Sequence, residues 1–164
     1  LNHFVEGRSL DDNAHILLRF SGGAKGMLWV SQVAPGNENG LRLRVYGSRA
    51  GIEWSQENPN YLKFSPLGEP SKILGRGSPE LSESAVKVTR TPPGHPEGYI
   101  EGFANIYAEI AHAVYAAREG KPVPHDVLFP DLEDGIAGMI FIEAALKSSR
   151  NNGKWVLLDN CIKT

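Results

Sequence analysis

The chain has 164 residues, 41% hydrophobic and 22% charged, with a formal net charge of −2. That length suits one domain with a real core, and the balanced charge gives no electrostatic reason to expect nucleic acid or an anionic membrane surface. No apolar run approaches the ~20 residues of a membrane span, no signal-peptide pattern opens the chain, and a single cysteine, Cys161, excludes an internal disulfide. Together these point to a reducing compartment, the cytoplasm.

Leu1-Asn-His-Phe-Val5 reads as the middle of a strand, which raises the expectation of a partner upstream. Asp11-Asp12-Asn13 signals a turn, and the alternation of Ala14, Ile16, Leu18 and Phe20 predicts a strand with one apolar face. Ser21-Gly-Gly-Ala-Lys-Gly26 then turns the chain into Met27–Ser31. These glycines form GGxxG rather than GxGxxG and no helix follows, so they predict a hairpin and not a phosphate loop. After the Pro35–Gly40 turn, Leu41–Tyr46 alternates strictly, with Leu41, Leu43 and Val45 on one face and Arg42, Arg44 and Tyr46 on the other. The second face suits solvent or a subunit interface. Ile52–Gln56 and Tyr61–Phe64 continue an antiparallel meander. Residues 66–90 read as a long connection holding one possible short strand at Ser71–Leu74, which places the sheet within residues 1–90.

Thr91-Pro-Pro-Gly-His-Pro-Glu-Gly-Tyr99 is a stiff loop. It leads into a helix expected over 97–119, whose apolar positions are Ile100, Phe103, Tyr107, Ile110, Val114 and Ala117. A second helix is expected over 132–149, with Asp131 as N-cap and Asp134 closing a capping box. Lys154–Leu158 reads as a last strand. The five histidines show no metal-ligand spacing, and no GxSxG occurs. His95 is the one residue whose setting suggests chemistry, because rigid loops on a scaffold commonly carry binding groups. Glu97 and Tyr99 are the nearest polar side chains for the same pocket. Trp29 and Trp54 read as packing on the sheet face.

Val33-Ala-Pro-Gly-Asn-Glu-Asn39, Leu43–Gly47, Gly51–Trp54, Gly94-His-Pro-Glu-Gly-Tyr99, Phe103–Tyr107, Phe129-Pro130, Glu133–Gly135, Phe141–Ala144 and Gly153–Trp155 occur in that order. Together they resemble the C-terminal domain of the glucose–fructose oxidoreductase / inositol dehydrogenase / MocA (Gfo/Idh/MocA) family. The resemblance implies an α+β fold like the C-terminal domain of glyceraldehyde-3-phosphate dehydrogenase: an open, largely antiparallel sheet with two long helices packed on one face. It implies a parent NAD(P)-dependent oxidoreductase acting on a sugar, cyclitol or related polyol, with NAD or NADP held by a separate N-terminal Rossmann domain. The Rossmann fingerprint, the Glu-Lys-Pro motif and the Gly-x-His-x-x-Asp-like segment of the family have no counterpart in these 164 residues.

The expectation is therefore a single substrate-binding and oligomerisation domain, 1–164, without catalytic, cofactor or metal residues and inactive in isolation. Its substrate-binding candidates are His95, Glu97 and Tyr99. Its interface candidates are Arg42, Arg44 and Tyr46, for a homodimer or homotetramer. The alternative is a non-catalytic carbohydrate-binding or scaffold domain, which an exposed Trp29 or Trp54 would favour.

Overall fold

A computed structural model of the chain describes residues 1–79 and 81–158, so Cys161 lies outside the described residues. The elements run β1 (Asn13–Arg19), β2 (Lys25–Ser31), β3 (Arg42–Tyr46), β4 (Ala50–Ser55), β5 (Tyr61–Pro66), β6 (Lys72–Gly75), α1 (Glu83–Lys87), α2 (Tyr99–Arg118) and α3 (Leu132–Arg150). The fold is α+β, and every strand pairing is antiparallel. The strands hydrogen-bond as two sheets rather than one meander, β1-β2 and β3-β4-β5-β6. The break falls at Pro35-Gly36, where proline lacks an amide for the ladder and Gly36 takes φ +86°. The chain divides there into two compact units, one of residues 1–36 and 130–164, the other of 37–129.

In the first unit, β1 and β2 form the hairpin expected from the glycines, closed by Phe20 N–H on Ala24 O at 3.0 Å, with Gly23 at φ +87°. Ala14, Ile16 and Leu18 are half-buried and alternate with exposed His15, Leu17 and Arg19; Phe20, expected on the same face, is exposed. Asp12 is buried at the start of β1. Its carboxylate accepts the amides of Phe4 (2.9 Å) and Val5 (3.0 Å), and Arg8 stands at 3.5 Å. It thus does the turn work that the sequence implies. Asp131 caps α3 by accepting from the amides of Glu133 (2.9 Å) and Asp134 (3.1 Å), while Asp134 takes the Asp131 amide at 3.0 Å. That is the expected capping box. Ala144 of α3 is the one buried hydrophobic residue among those described.

Lys154–Leu158 is a correction. It forms no strand ladder among the described residues. The Trp155 ring is engaged instead by the Arg19 guanidinium, 4.0 Å from the ring centroid.

In the second unit, the register lines Leu43, Trp54, Leu62 and Leu74 in one row across all four strands. The opposite face carries the row Arg44, Glu53, Lys63 and Ile73, whose charges alternate in sign along its first three members. α2 begins at Tyr99, two residues later than expected, because Glu97 and Gly98 belong to the loop. Glu101 reaches back to the Gly98 amide at 2.8 Å, half a capping box since glycine has no side chain to return the bond. The expected apolar stripe of α2 is exposed, with Ile100 at 75% and Tyr107 at 68%. The less exposed face is made of Glu101, Ala104, Asn105, Ala108, Glu109 and Ala111.

Candidate functional site: a clamped histidine loop

The loop bearing His95 belongs to the second unit, and three polar side chains fix its backbone. Asn60 stands in the turn before β5 and Arg76 immediately after β6. Their neighbouring backbones are tied by Arg76 N–H on Asn60 O at 2.8 Å. From there the Arg76 guanidinium reaches four acceptors: Asn60 Oδ1 (2.9 Å), Thr91 O (2.9 Å), Glu97 Oε1 (3.0 Å) and His95 O. Asn60 matches the Glu97 peptide on both sides, donating to Glu97 O and accepting from Glu97 N–H, each at 2.9 Å. Glu97 Oε1 also accepts the amides of Arg90 (2.6 Å) and Thr91. The planar five-donor fork of arginine suits such convergence, which a lysine would not reproduce.

Burial acts to raise the Glu97 pKa. The amides of Thr91 and Arg90 and the Arg76 charge outweigh it, holding the carboxyl below its ordinary 4.5. Both partners are well covered, the Arg76 side chain 16% exposed and Glu97 8%. The loop also closes on itself. His95 N–H donates to Pro92 O at 3.2 Å, Thr91 Oγ1 donates to His95 O at 3.1 Å, and Gly94 takes φ +86°. Gly77, at φ +76°, lets the Pro93 ring approach to 3.1 Å of where a Cβ would stand.

Above this clamp His95 is exposed and its neighbour Tyr99 is 73% exposed, with the Tyr99 ring packed on Phe103 at 4.7 Å. A shallow cleft of about 90 Å³ beside the clamp is lined by Trp54, Asn60, Arg76 and Leu81. Of the three residues expected at the site, two present side chains to the surface, and the Glu97 carboxylate is turned inward. Asn60 and Arg76 escaped the sequence reading. Each lies next to a strand end among turn residues, and only the fold brings them to the loop.

A second polar knot braces the other end of the unit. Lys87 Nζ donates to Asp126 O (2.6 Å) and Oδ2 (3.0 Å) and lies 3.5 Å from Glu109, which accepts the Leu128 amide at 2.9 Å. Among the described residues, no group of three His, Cys, Asp or Glu side chains is placed to hold a metal ion, and no helix is long and apolar enough to cross a membrane. Arg42, Arg44 and Tyr46 are all exposed on β3, an edge strand. Trp29 is 58% exposed, with its indole N–H on Asn13 Oδ1 at 2.9 Å. Trp54 is half-buried and donates to Pro59 O at 3.1 Å.

These features describe an α+β domain that carries a clamped loop at its surface. Residues 2–158 match the oxidoreductase family's C-terminal alpha/beta domain, and the chain belongs to the Gfo/Idh/MocA family. It is 38% identical over 155 residues to the uncharacterized oxidoreductase YfiI of Bacillus subtilis (strain 168), covering 93% of this chain and 39% of YfiI. An oxidoreductase from Sinorhizobium meliloti is similar in structure, with a TM-score of 0.90, 53% identity, and coverage of 96% of this chain and 44% of that one. An inositol dehydrogenase homolog from Azotobacter vinelandii, solved in complex with NADH and myo-inositol, gives a TM-score of 0.86 at 38% identity, covering 90% of this chain and 39% of its own. The chain thus spans about two fifths of the length of these relatives.

Proposed function

We propose that this chain is the substrate-side and subunit-contacting part of a cytoplasmic NAD(P)-dependent oxidoreductase acting on a sugar, cyclitol or related polyol, and that it is inactive alone. The support for placing the dinucleotide elsewhere is the glycine pattern, which is GGxxG and not GxGxxG. The glycine-rich turn joins β1 to β2, so no helix N-terminus stands behind it to receive a pyrophosphate. In this reading the cofactor, which supplies hydride chemistry when bound, is held by another part of the longer protein.

This chain contributes a wall. The observation that carries the reading is the clamp: a backbone fixed from Asn60, Arg76 and Glu97 beneath an exposed imidazole and phenol. His95 and Tyr99 each offer donor and acceptor capacity suited to polyol hydroxyls, while Glu97 positions the loop. The resemblance to a protein solved with myo-inositol supports that substrate class.

The test is steady-state kinetics of a longer chain that includes the cofactor-binding part, with myo-inositol as the probe. His95→Ala is expected to raise KM about tenfold, the loss of one or two hydrogen bonds to a hydroxyl, with the melting temperature unchanged. An unaltered KM would remove His95 from the site. The 164-residue chain alone is expected to show no NADH binding by fluorescence titration, and micromolar binding would overturn the assignment of the cofactor elsewhere.

One observation favours the alternative of a non-catalytic carbohydrate-binding domain. Trp29 is exposed and stacks with His15 at 6.1 Å, an aromatic surface open to a sugar ring. Retention on immobilised polysaccharide, lost in Trp29→Ala, would support that reading.

A further inference from the structure

The sequence holds two Asn-Gly pairs, Asn39-Gly40 before β3 and Asn152-Gly153 after α3. In such a pair the backbone nitrogen of the glycine can attack the asparagine side-chain amide, because glycine has no Cβ to block the approach. The attack needs that nitrogen free to lose its proton and turn towards the asparagine Cγ. Both asparagines are exposed, so the state of the glycine amide decides between them.

The Gly153 amide is held. It donates to Ser148 O at 2.9 Å, and the Asn152 amide donates to Ser149 O at 3.3 Å. Both residues take positive φ, +56° at Asn152 and +73° at Gly153, in closing the end of α3. Gly40 differs. Among the described residues its amide has no acceptor and the Asn39 side chain has no hydrogen-bond partner. The turn is fixed on either side of that amide instead. Leu41 N–H donates to Asn39 O at 2.8 Å, and the Asn39 amide reaches Glu57 Oε1 at 3.5 Å.

We propose that Asn39 is a self-modification site, converted to aspartate and isoaspartate with water as the co-reactant, while Asn152 is spared. Hydroxide takes the Gly40 amide proton, and a bond between Gly40 N and Asn39 Cγ closes a cyclic imide. The Cγ–Nδ2 bond breaks, and ammonia leaves with a proton from water. A second water opens the imide at either carbonyl, and nothing is oxidised or reduced. In the isoaspartate product the chain runs through Asn39 Cβ and Cγ, so the carbonyl that accepts the Leu41 amide becomes a free carboxylate. The new charge stands beside Glu38 and near Glu57, like charges that oppose the turn. Leu41 O accepts Gln56 N–H at 2.9 Å next to the first rung of β3, Arg42 opposite Ser55. Modification therefore loosens the entry to β3.

The test is peptide mapping by mass spectrometry of the longer chain that includes the cofactor-binding part, aged at mildly alkaline pH with parallel samples in urea. In urea the two pairs should deamidate at similar rates. In the folded protein, isoaspartate should accumulate at Asn39 ~tenfold or more faster than at Asn152, whose glycine amide reacts only when the helix end opens. Anion exchange should resolve the aged form by its added negative charge, that form should be missing in Asn39→Gln, and its Leu41 amide should exchange faster than in fresh protein. Equal folded-state rates, or no product at Asn39, overturns the proposal. A preference for Asn39 that is as large in urea overturns it too, because the held amide would then not set it. Unchanged exchange at Leu41 overturns the loosening of β3.

Discussion

The carboxylate of Glu97 receives two backbone amides and a guanidinium in a unit with few buried groups, so its ionisation is coupled to the loop it holds. Its pKa in the folded chain lies below the ordinary 4.5. The stabilisation is therefore complete above about pH 4.5 and lost as pH falls through the folded value. Asp12, held below its ordinary 3.8 against the opposing effect of burial by the Phe4 and Val5 amides and Arg8, acts in the same direction at lower pH. Melting temperature should be flat from pH 7 to 5 and fall in acid, and Glu97→Gln should blunt the upper part of that fall. A Glu97→Gln profile parallel to the parent's would dissociate the carboxylate from acid stability. Arg76→Met leaves the Glu97 charge covered and unpaired, which costs about 3 kcal/mol. Glu97→Gln keeps the acceptor and costs about 1 kcal/mol. Urea denaturation should rank the two in that order, and equal losses would mean that the charge pair does not hold the loop.

At the scale of elements, α3 rests on chemistry that is local in sequence. Asp131→Ala removes the acceptor of two amides and should lower stability by about 1 kcal/mol in urea titration, a typical N-cap loss; no change would mean the cap is redundant. Local chemistry was also what the sequence made legible. The Asp131 box, the glycine hairpin and the Leu43/Arg44 alternation each follow from residues a few positions apart, and each stands in the structure. Contacts between distant positions left no such signal. Nothing in a lone Arg76 after a short strand announces three acceptors on a loop many residues later, and nothing near Asn60 marks it as their relay. Lys154–Leu158 erred for the same reason: alternation states that a strand is possible, whereas a ladder requires a partner edge. Likewise the stripe of α2 states only that a face is apolar, not what covers it.

For the whole molecule, Leu43, Val45, Ile100 and Tyr107 are exposed apolar positions on β3 and α2, in keeping with the proposal that this chain is the subunit-contacting part of a longer protein. The face bearing Arg42, Arg44 and Tyr46 has the composition of a subunit contact, with arginine and tyrosine beside alternating charge. If it is that contact, Arg44→Glu places two negative charges opposite one another, with Glu53, and should shift a sedimentation-velocity dimer towards monomer. A variant that stays dimeric would move the interface off this strand.

The division into units also imposes an order in time. Residues 37–129 leave the ribosome as an uninterrupted stretch, and their meander, clamp and α2 can form while α3 is still unmade. The other unit joins residues 1–36 to a segment that begins at residue 130, so its hairpin is synthesised well before the α3 residues with which it shares a unit. During that interval the face bearing Ala14, Ile16 and Leu18, half-buried in the finished fold, is nascent apolar surface.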